Sequence, residues 1–295
     1  MALEDWPLLH RLVYHPRRGR VVDPQILGIR DLDFTPVRTP ASVGVPLAGW
    51  VVRPAGVSQA HGVPQSEGVP QSEGVPHRPG GLWSVVYFPG RGGHRGFRLP
   101  ELRMLAASGA QVLLCDYRGY GENPGRPSEP GLAQDARAIW QFAVDSLGWP
   151  AQSLVFYGES LGGAVALRLA VELQQVGLGP RGLILRSTFP SLAAVARNNH
   201  PWLRWLIPRR WYPSDQFIGQ LQCPVLQMHG ELDRLVPLGL ALDLWRLGPH
   251  HSPAWRHSRF VTLPHCGHND PPLVASAPML AAIAQFLESL DSPRA

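Results

Sequence analysis

The sequence predicts an α/β protein with a mostly parallel, doubly wound sheet of about eight strands, helices on both faces and antiparallel N-terminal strands. From residue 82 onwards, short apolar runs alternate with helical segments, which is typical of parallel strands joined by crossover helices. Residues 31–37 and 47–52 alternate polar and apolar side chains around a turn with Pro and Gly, which indicates an antiparallel pair. A strand, a Gly-rich turn and a small-residue helix follow one another over 153–171. Ligands collect where such strands end.

The other elements are assigned in chain order from apolar periodicity and turn residues. Residues 8–16 are expected to form a lead-in packed on the surface, and residues 187–220 an irregular, helix-poor stretch. Strands are predicted at residues 82–88, 111–116, 153–157, 182–185, 224–228 and 259–263, and helices at residues 99–107, 133–147, 160–171, 238–247 and 278–290.

A single domain, 1–295, is expected, with a flexible loop at 56–81 and a short cap-like segment at 187–220. The loop repeats Gly-Val-Pro-Gln-Ser-Glu in tandem within 62–76. Proline in each copy argues against the strands of a β-solenoid, so we expect an extended surface loop without a function of its own.

The composition excludes several classes of function. Hydrophobic residues make up 44% of the chain and charged residues 17%, as in globular proteins. The net charge is +5, but the arginines are scattered and form no basic face interleaved with aromatic residues, so no nucleic-acid partner is expected. All 27 basic residues are Arg. Without Lys, Schiff-base chemistry, a Walker-type lysine and a Ser–Lys dyad are excluded.

Cysteine usage and hydropathy predict the compartment. Three widely spaced cysteines, Cys115, Cys223 and Cys266, imply no disulfide framework. The N-terminus lacks the apolar core of a signal peptide, and no apolar run is long enough to span a membrane. We expect a cytoplasmic protein without a cofactor. Peripheral membrane contact and the oligomeric state are left open.

The stretch that organises the chain is Gly-x-Ser-x-Gly, with Ser160 at its centre. It lies between an apolar run and a helix, the context of a nucleophile elbow. Such a turn needs small neighbours because the chain passes close to itself. It presents the serine hydroxyl at a helix N-terminus, where partial positive charge favours an oxyanion. Ser160 is therefore the predicted nucleophile.

A serine hydroxyl needs a base to take its proton, and the base needs an orienting acid. In the chain order expected after an elbow, Asp233 follows the strand at 224–228 and His268 follows the strand at 259–263. Glu231 and Asp243 are the alternative acids.

Other histidines and a cysteine lie near these positions. His265 is the rival base, and His229 is expected to shape the loop that presents Asp233. His265 and His268 are spaced like a weak metal pair, but no carboxylate or cysteine set with a zinc spacing surrounds them, so no metal is predicted. Cys266 is expected to be a bystander.

A tetrahedral oxyanion needs two preorganised N–H donors. The amide of Leu161, directly after the nucleophile, is one candidate, and the amide of Arg91 in the Gly-rich loop after the strand at 82–88 is the other. Such a loop could also cradle a phosphate. The absence of Lys and of a helix in Walker register argues against that alternative.

These motifs resemble the α/β-hydrolase superfamily, in particular a group of single-domain serine hydrolases. The group includes bacterial hydrolases of unassigned substrate and eukaryotic lipid lipases and protein depalmitoylases. The resemblance implies Ser160 as nucleophile, Asp233 as acid, His268 as base, and oxyanion donors at Leu161 and Arg91. The chain has Pro-Gly-Arg at 89–91 where the group usually has His-Gly-Asn, which affects loop shape and local charge. The motifs that carry the resemblance are those at 116–121, 158–163, 229–233 and 267–269.

The segment after the sixth strand is rich in aromatic residues. Trp202, Trp205 and Trp211 either line an acyl pocket or pack in the core. The sequence predicts hydrolysis of carboxylic esters or thioesters with short to medium acyl chains, with a small-molecule ester or acyl compound as the partner. A serine peptidase with the same triad and a non-catalytic binding protein are the alternatives.

Overall fold

The computed structural model describes residues 7–40, 44–57, 81–199, 207–208 and 210–291. The predicted repeat at 62–76 and the tryptophans Trp202 and Trp205 lie outside the described residues. In the described part of the chain the strands are, in order, β1 (His15–Pro16), β2 (Leu32–Arg38), β3 (Ala48–Pro54), β4 (Trp83–Phe88), β5 (Gly92–Gly93), β6 (Ala110–Cys115), β7 (Val155–Glu159), β8 (Gly182–Arg186), β9 (Val225–Gly230) and β10 (Arg259–Leu263).

Helices connect the parallel strands and cover both faces of the sheet. Over the same residues they are α1 (Pro7–Val13), α2 (Leu99–Ala107), α3 (Glu129–Gln141), α4 (Leu161–Gln174), α5 (Leu192–Asn199), α6 (Ser214–Ile218), α7 (Leu238–Arg246), α8 (Pro271–Val274) and α9 (Ser276–Ser289). In the described part of the chain, no helix has both the length and the apolar character that crossing a membrane requires.

Eight of the strands form one sheet in the order β10-β9-β8-β7-β4-β6-β3-β2. The strands from β10 to β6 are parallel, whereas β3 is antiparallel to both β6 and β2. This confirms the predicted fold class. Because the parallel strands end at the same edge, the loops after β4, β7, β9 and β10 meet there.

The sheet has a hydrophobic core on each face, because successive side chains of a strand point to opposite sides. Tyr87 stacks edge-on with Tyr157 on the face covered by α2 and α9. Phe88 does the same with Phe156 on the face covered by α3, α4 and α7. Both pairs are fully buried. The strand that leads to the nucleophile is thus fixed from both sides.

The N-terminal segment packs differently from the surface lead-in predicted for residues 8–16. β1 pairs in parallel with β5, which lies in the Gly-rich loop after β4. The His15 amide donates to the carbonyl of Arg91 at 2.9 Å, and the Arg91 guanidinium donates to the Leu12 carbonyl. No sequence pattern marks so short a pair. The segment braces the loop in which Arg91 lies.

The predicted helix at 133–147 starts earlier than expected and changes from α to π geometry before it ends at Ser146. α3 begins at Glu129, where the Ser128 hydroxyl accepts the amide of Gly131 at 3.1 Å. Pro130 and Gly131 suggest a loop, but proline is tolerated in a first turn because its missing N–H has no partner there. After Gln141 the chain continues as a single π turn.

The prediction that residues 187–220 are helix-poor was wrong for the described part of that segment. It contains the two-turn α5 and the shorter α6. The amide of Ala194 donates to the Ser191 hydroxyl at 3.2 Å in the first turn of α5. Both helices are too short for a clear helical period in the sequence.

Candidate active site

The nucleophile elbow has the backbone conformation that its motif requires. Ser160 has φ +50° and ψ −113° and directly precedes α4. For a residue with a Cβ this conformation costs on the order of 1–3 kcal/mol, and such strain clusters at functional sites. The Ser160 amide donates to the carbonyl of Arg186 at 2.7 Å, which ties the elbow to β8.

Gly162 allows the elbow to pass against the neighbouring loop. A Cβ at this position would lie 2.0 Å from the carbonyl oxygen of Phe88 and 2.5 Å from that of Pro89. Both are backbone atoms, so neither can swing away. The elbow and the start of the Gly-rich loop are therefore in direct contact.

We expect Gly162→Ala to destabilise the fold by about 3 kcal/mol, because the added methyl must displace the backbone after β4. Urea denaturation measures this loss. Gly239→Ala is the matched control, since Gly239 lies in α7 and a Cβ there would meet nothing within 4 Å. The control should change stability by no more than about 1 kcal/mol, in the stabilising direction. Equal stability of the two variants would contradict the close packing.

His268 lies between Ser160 and Asp233. Its Nε2 is 2.9 Å from the Ser160 Oγ, and its Nδ1 is 2.7 Å from the Asp233 Oδ2. A carboxylate can only accept, so Nδ1 carries the proton and Nε2 presents its lone pair to the serine hydroxyl. This tautomer can take the serine proton.

Asp233 is held in place by three hydrogen bonds, and a further N–H, that of His229, is shared between it and the Val236 carbonyl. Its Oδ1 accepts the amides of Leu235 at 2.9 Å and Val236 at 2.8 Å. Its Oδ2 faces His268 and lies 3.3 Å from the Nε2 of His229. Burial alone would raise the pKa of Asp233, but hydrogen bonds from His229, His268 and the Val236 amide outweigh it and hold the pKa well below its ordinary value. The carboxylate therefore stays ionised at neutral pH, where it can stabilise an imidazolium.

His229 shapes the loop that carries Asp233, in the role expected from the sequence. Its Nε2 lies 2.7 Å from the Val236 carbonyl. A carbonyl only accepts, so this nitrogen is protonated and donates across the turn. The ring is fully buried at the end of β9.

The rival candidates lie away from the hydroxyl of Ser160. The side chain of His265 is exposed and the residue has φ +59°. Glu231 is exposed on the surface of the loop, and exposed Asp243 pairs with Arg246 at 2.8 Å in α7. None of the three occupies a position in the chain of hydrogen bonds from Ser160.

Leu161 and Arg91 lie on the two segments that meet at the elbow. Leu161 is the first residue of α4, so its amide has no acceptor within the helix. Arg91 lies three residues beyond β4, and its carbonyl accepts the Tyr120 hydroxyl at 2.7 Å as well as the His15 amide. Their role as oxyanion donors stays a prediction.

Of the three tryptophans predicted for the substrate pocket, Trp211 is described. Its side chain is 4% exposed and belongs to the hydrophobic core on the α3 and α4 face. This is the placement expected for core packing rather than for the wall of an open pocket. Trp202 and Trp205 lie outside the described residues.

The cysteines and the acidic side chains offer no metal centre in the described part of the chain, where no group of three His, Cys, Asp or Glu side chains could hold an ion. Cys115, Cys223 and Cys266 are buried free thiols. Burial raises the pKa of Cys266, which donates to the Leu263 carbonyl at 3.4 Å. A protonated, buried thiol is a poor nucleophile.

Sequence reasoning missed the role of Glu159, which it treated as a spacer in the elbow motif. The side chain is buried and bonded to the Gly-rich loop. A charged residue at the end of a strand that is otherwise apolar was the available signal, since a buried charge needs partners.

Comparison with known sequences gives one family and several relatives. The family described as serine aminopeptidase, S33, matches residues 82–218. An uncharacterized protein of Mycobacterium tuberculosis, Rv2307c, is 41% identical over 215 residues, which cover 72% of each chain. Lysophosphatidylserine lipase ABHD12 of Danio rerio is 33% identical over 180 residues, which cover 55% of this chain and 46% of the fish protein.

Comparison with solved structures gives the same fold. An esterase of Pyrococcus furiosus superposes with a TM-score of 0.66 at 17% identity, over 94% of this chain and 99% of the esterase. A monoacylglycerol lipase of Paleococcus ferrophilus superposes with a TM-score of 0.53 at 18% identity, over 72% of this chain and 97% of the lipase. At such identities the likeness establishes the fold, and the chemistry has to be argued from the site.

Proposed function

The chain belongs to the α/β-hydrolase superfamily, and we propose that it is a serine hydrolase that cleaves carboxylic esters or thioesters through an acyl-enzyme. The observation that supports the proposal most is the continuous chain of contacts from Ser160 to His268 at 2.9 Å and from His268 to Asp233 at 2.7 Å. These side chains come from three strand ends, so a chance encounter is a poor explanation of their alignment.

The proposed reaction has two steps. In the first, the Ser160 Oγ attacks the carbonyl carbon while His268 Nε2 takes its proton, and the amides of Leu161 and Arg91 stabilise the oxyanion. The carbon–oxygen or carbon–sulfur bond then breaks, and His268 returns the proton to the leaving group. In the second, water attacks the acyl carbon while His268 Nε2 takes its proton; the bond from that carbon to the Ser160 Oγ then breaks, His268 returns the proton to the Oγ, and the acid product leaves. Asp233 stabilises the imidazolium in both steps.

Short to medium acyl chains are the proposed substrates. The names of the relatives and neighbours support an ester substrate class, because they include a lysophosphatidylserine lipase, an esterase and a monoacylglycerol lipase.

A series of nitrophenyl esters and acyl thioesters tests the proposal. We expect Ser160-dependent turnover that peaks at short to medium chain length, and with nitrophenyl esters a burst of one product per chain if deacylation is the slower step. Turnover that peaks at long acyl chains would contradict the chain-length proposal. Turnover of neither series by the folded protein would contradict ester hydrolysis.

A serine peptidase is the second candidate, because the matching family is described as a serine aminopeptidase. The same triad can attack an amide bond as well as an ester bond. Esterases and peptidases with this triad differ in how the substrate reaches it. Aminoacyl arylamides, assayed beside the esters, discriminate between the two. If the arylamides have the larger kcat/KM, the protein is a peptidase rather than an esterase.

A further inference from the structure

Four charged side chains are buried directly beneath the proposed triad. Two are acidic and two are basic. We refer to it as the buried tetrad. Its members, with the exposed fraction of each side chain, are Arg98 (10%), Glu101 (6%), Glu159 (8%) and Arg186 (1%).

Glu159 connects the elbow to the Gly-rich loop. Its Oε2 accepts the Arg98 Nε at 2.5 Å, the Tyr87 hydroxyl at 2.8 Å and the Gly90 amide at 3.2 Å. Arg98 also donates from Nη2 to the carbonyl of Gly92 at 2.8 Å. Gly90 and Gly92, on either side of Arg91, are therefore both linked to Glu159, the residue before Ser160. Gly90 bonds to the carboxylate of Glu159 directly, and Gly92 bonds to Arg98, which pairs with that carboxylate.

Arg186 connects the elbow to the base. Its carbonyl accepts the Ser160 amide at 2.7 Å, and its Nη1 donates to the carbonyl of His268 at 2.9 Å. Its Nη2 reaches Glu159 at 3.1 Å and Glu101 at 2.9 Å. A single residue thus contacts the nucleophile through its backbone and the base through its side chain.

The two arginines of the tetrad keep Glu159 ionised. Burial alone would raise the pKa of Glu159, but Arg98 and Arg186 outweigh it and lower the pKa to about 2. Burial raises the pKa of Glu101, which has Arg186 beside it. Buried ion pairs are frequently no more stabilising than apolar side chains of the same volume. Stability is therefore a weak explanation for four buried charges at this place.

We propose that Glu159 and Arg186 are positioning residues, which hold the amide of Arg91 and the ring of His268 in register with the hydroxyl of Ser160. The inference rests on the proposed serine-hydrolase function and extends it. Catalysis depends on geometry steeply, and a misplacement of about 1 Å lowers rates by about 100-fold. The tetrad fixes the distance between the loops that supply the oxyanion donor and the base.

Glu159→Gln tests this role, because the side chain keeps its size but one of its two oxygens becomes an NH₂ group. That group must face the Arg186 Nη2 if the remaining oxygen keeps the donors on Oε2, and otherwise the Gly90 N–H and the Arg98 guanidinium, so a donor meets a donor in either orientation. We expect kcat for an ester substrate to fall by about 10- to 100-fold while KM stays within about twofold, since an interaction needed for the transition state is lost. Asp135→Asn is the matched control. Asp135 is also buried, and its hydrogen bonds go to Arg118, at 2.7 Å from Nη2, and not to the loops after β4 and β10.

The control should lower the melting temperature with kcat within about threefold of wild type. If Glu159→Gln does not fold, Tyr87→Phe tests the inference in its place, because it removes one hydroxyl that donates to the Glu159 carboxylate. We expect kcat of Tyr87→Phe to fall by about threefold or more at constant KM. A kcat within twofold of wild type in the folded variant, or equal losses in Asp135→Asn, would overturn the inference.

Ser160→Ala in the same assay separates this inference from the proposed function. Hydrolysis that survives Ser160→Ala contradicts the proposed function. Hydrolysis that depends on Ser160 but is unchanged by substitutions in the tetrad contradicts only this inference.

Discussion

Ser160→Ala is expected to lower kcat for ester hydrolysis by about 10⁴- to 10⁶-fold, the scale on which loss of a serine nucleophile acts. The substitution removes the atom that the Nε2 of His268 approaches to 2.9 Å, so no acyl-enzyme can form. The backbone amides of Leu161 and Arg91, the predicted oxyanion donors, are untouched by the substitution and would account for a residual rate above that of water. Initial rates with a nitrophenyl ester, at equal concentrations of folded protein, measure the loss.

Ser187→Ala is the matched control for this experiment. Ser187 is also buried and also has a positive φ, of 55°. Its hydroxyl has no hydrogen-bond partner among the described residues. We expect kcat within about twofold of wild type. A Ser160→Ala variant within tenfold of the control would show that hydrolysis does not pass through Ser160.

Asp233→Asn is expected to lower kcat by about 10³- to 10⁴-fold through the tautomer of His268. The Oδ1 accepts two backbone amides, those of Leu235 and Val236, so the amide oxygen of Asn must keep that side. Its NH₂ group then faces the Nδ1 of His268 and donates to it. The imidazole proton moves to Nε2, which can no longer accept the proton of Ser160.

The kcat of Asp233→Asn and the pattern of imidazole proton resonances test this argument together. Asp243→Asn is the control, because Asp243 is an exposed acid on the adjacent helix and its loss should leave kcat within about twofold. If Asp233→Asn retained kcat within tenfold while Asp243→Asn lost activity, the acid would have been assigned to the wrong residue.

Much of the fold follows from local chemistry in the sequence. The helix at Leu99–Ala107 and the strand at Arg259–Leu263 lie where their patterns predict them. The candidate nucleophile, acid and base could be named because each follows an apolar strand in a fixed chain order. The spacing of motifs therefore carries information about residues that are far apart in the chain.

The rest depends on tertiary packing, which local patterns do not encode. The pairing of His15–Pro16 with Gly92–Gly93 joins two short segments distant in sequence. The contact of Arg186 with the carbonyl of His268 spans 82 residues. From the sequence alone, Trp211 could equally line a pocket or pack in the core, and only its burial in the structure decides between them. In each case the partner, rather than the residue itself, decides the role.

Covalent labelling with a fluorophosphonate probe tests whether His268 activates the hydroxyl of Ser160. Intact-mass analysis is expected to show one adduct per chain, and peptide mapping is expected to place that adduct on Ser160. Labelling should be abolished in Ser160→Ala, strongly slowed in His268→Ala and unchanged in the exposed control His265→Ala. A folded wild-type protein that takes up no probe, or one that carries the adduct on another residue, would show that Ser160 is not the activated nucleophile.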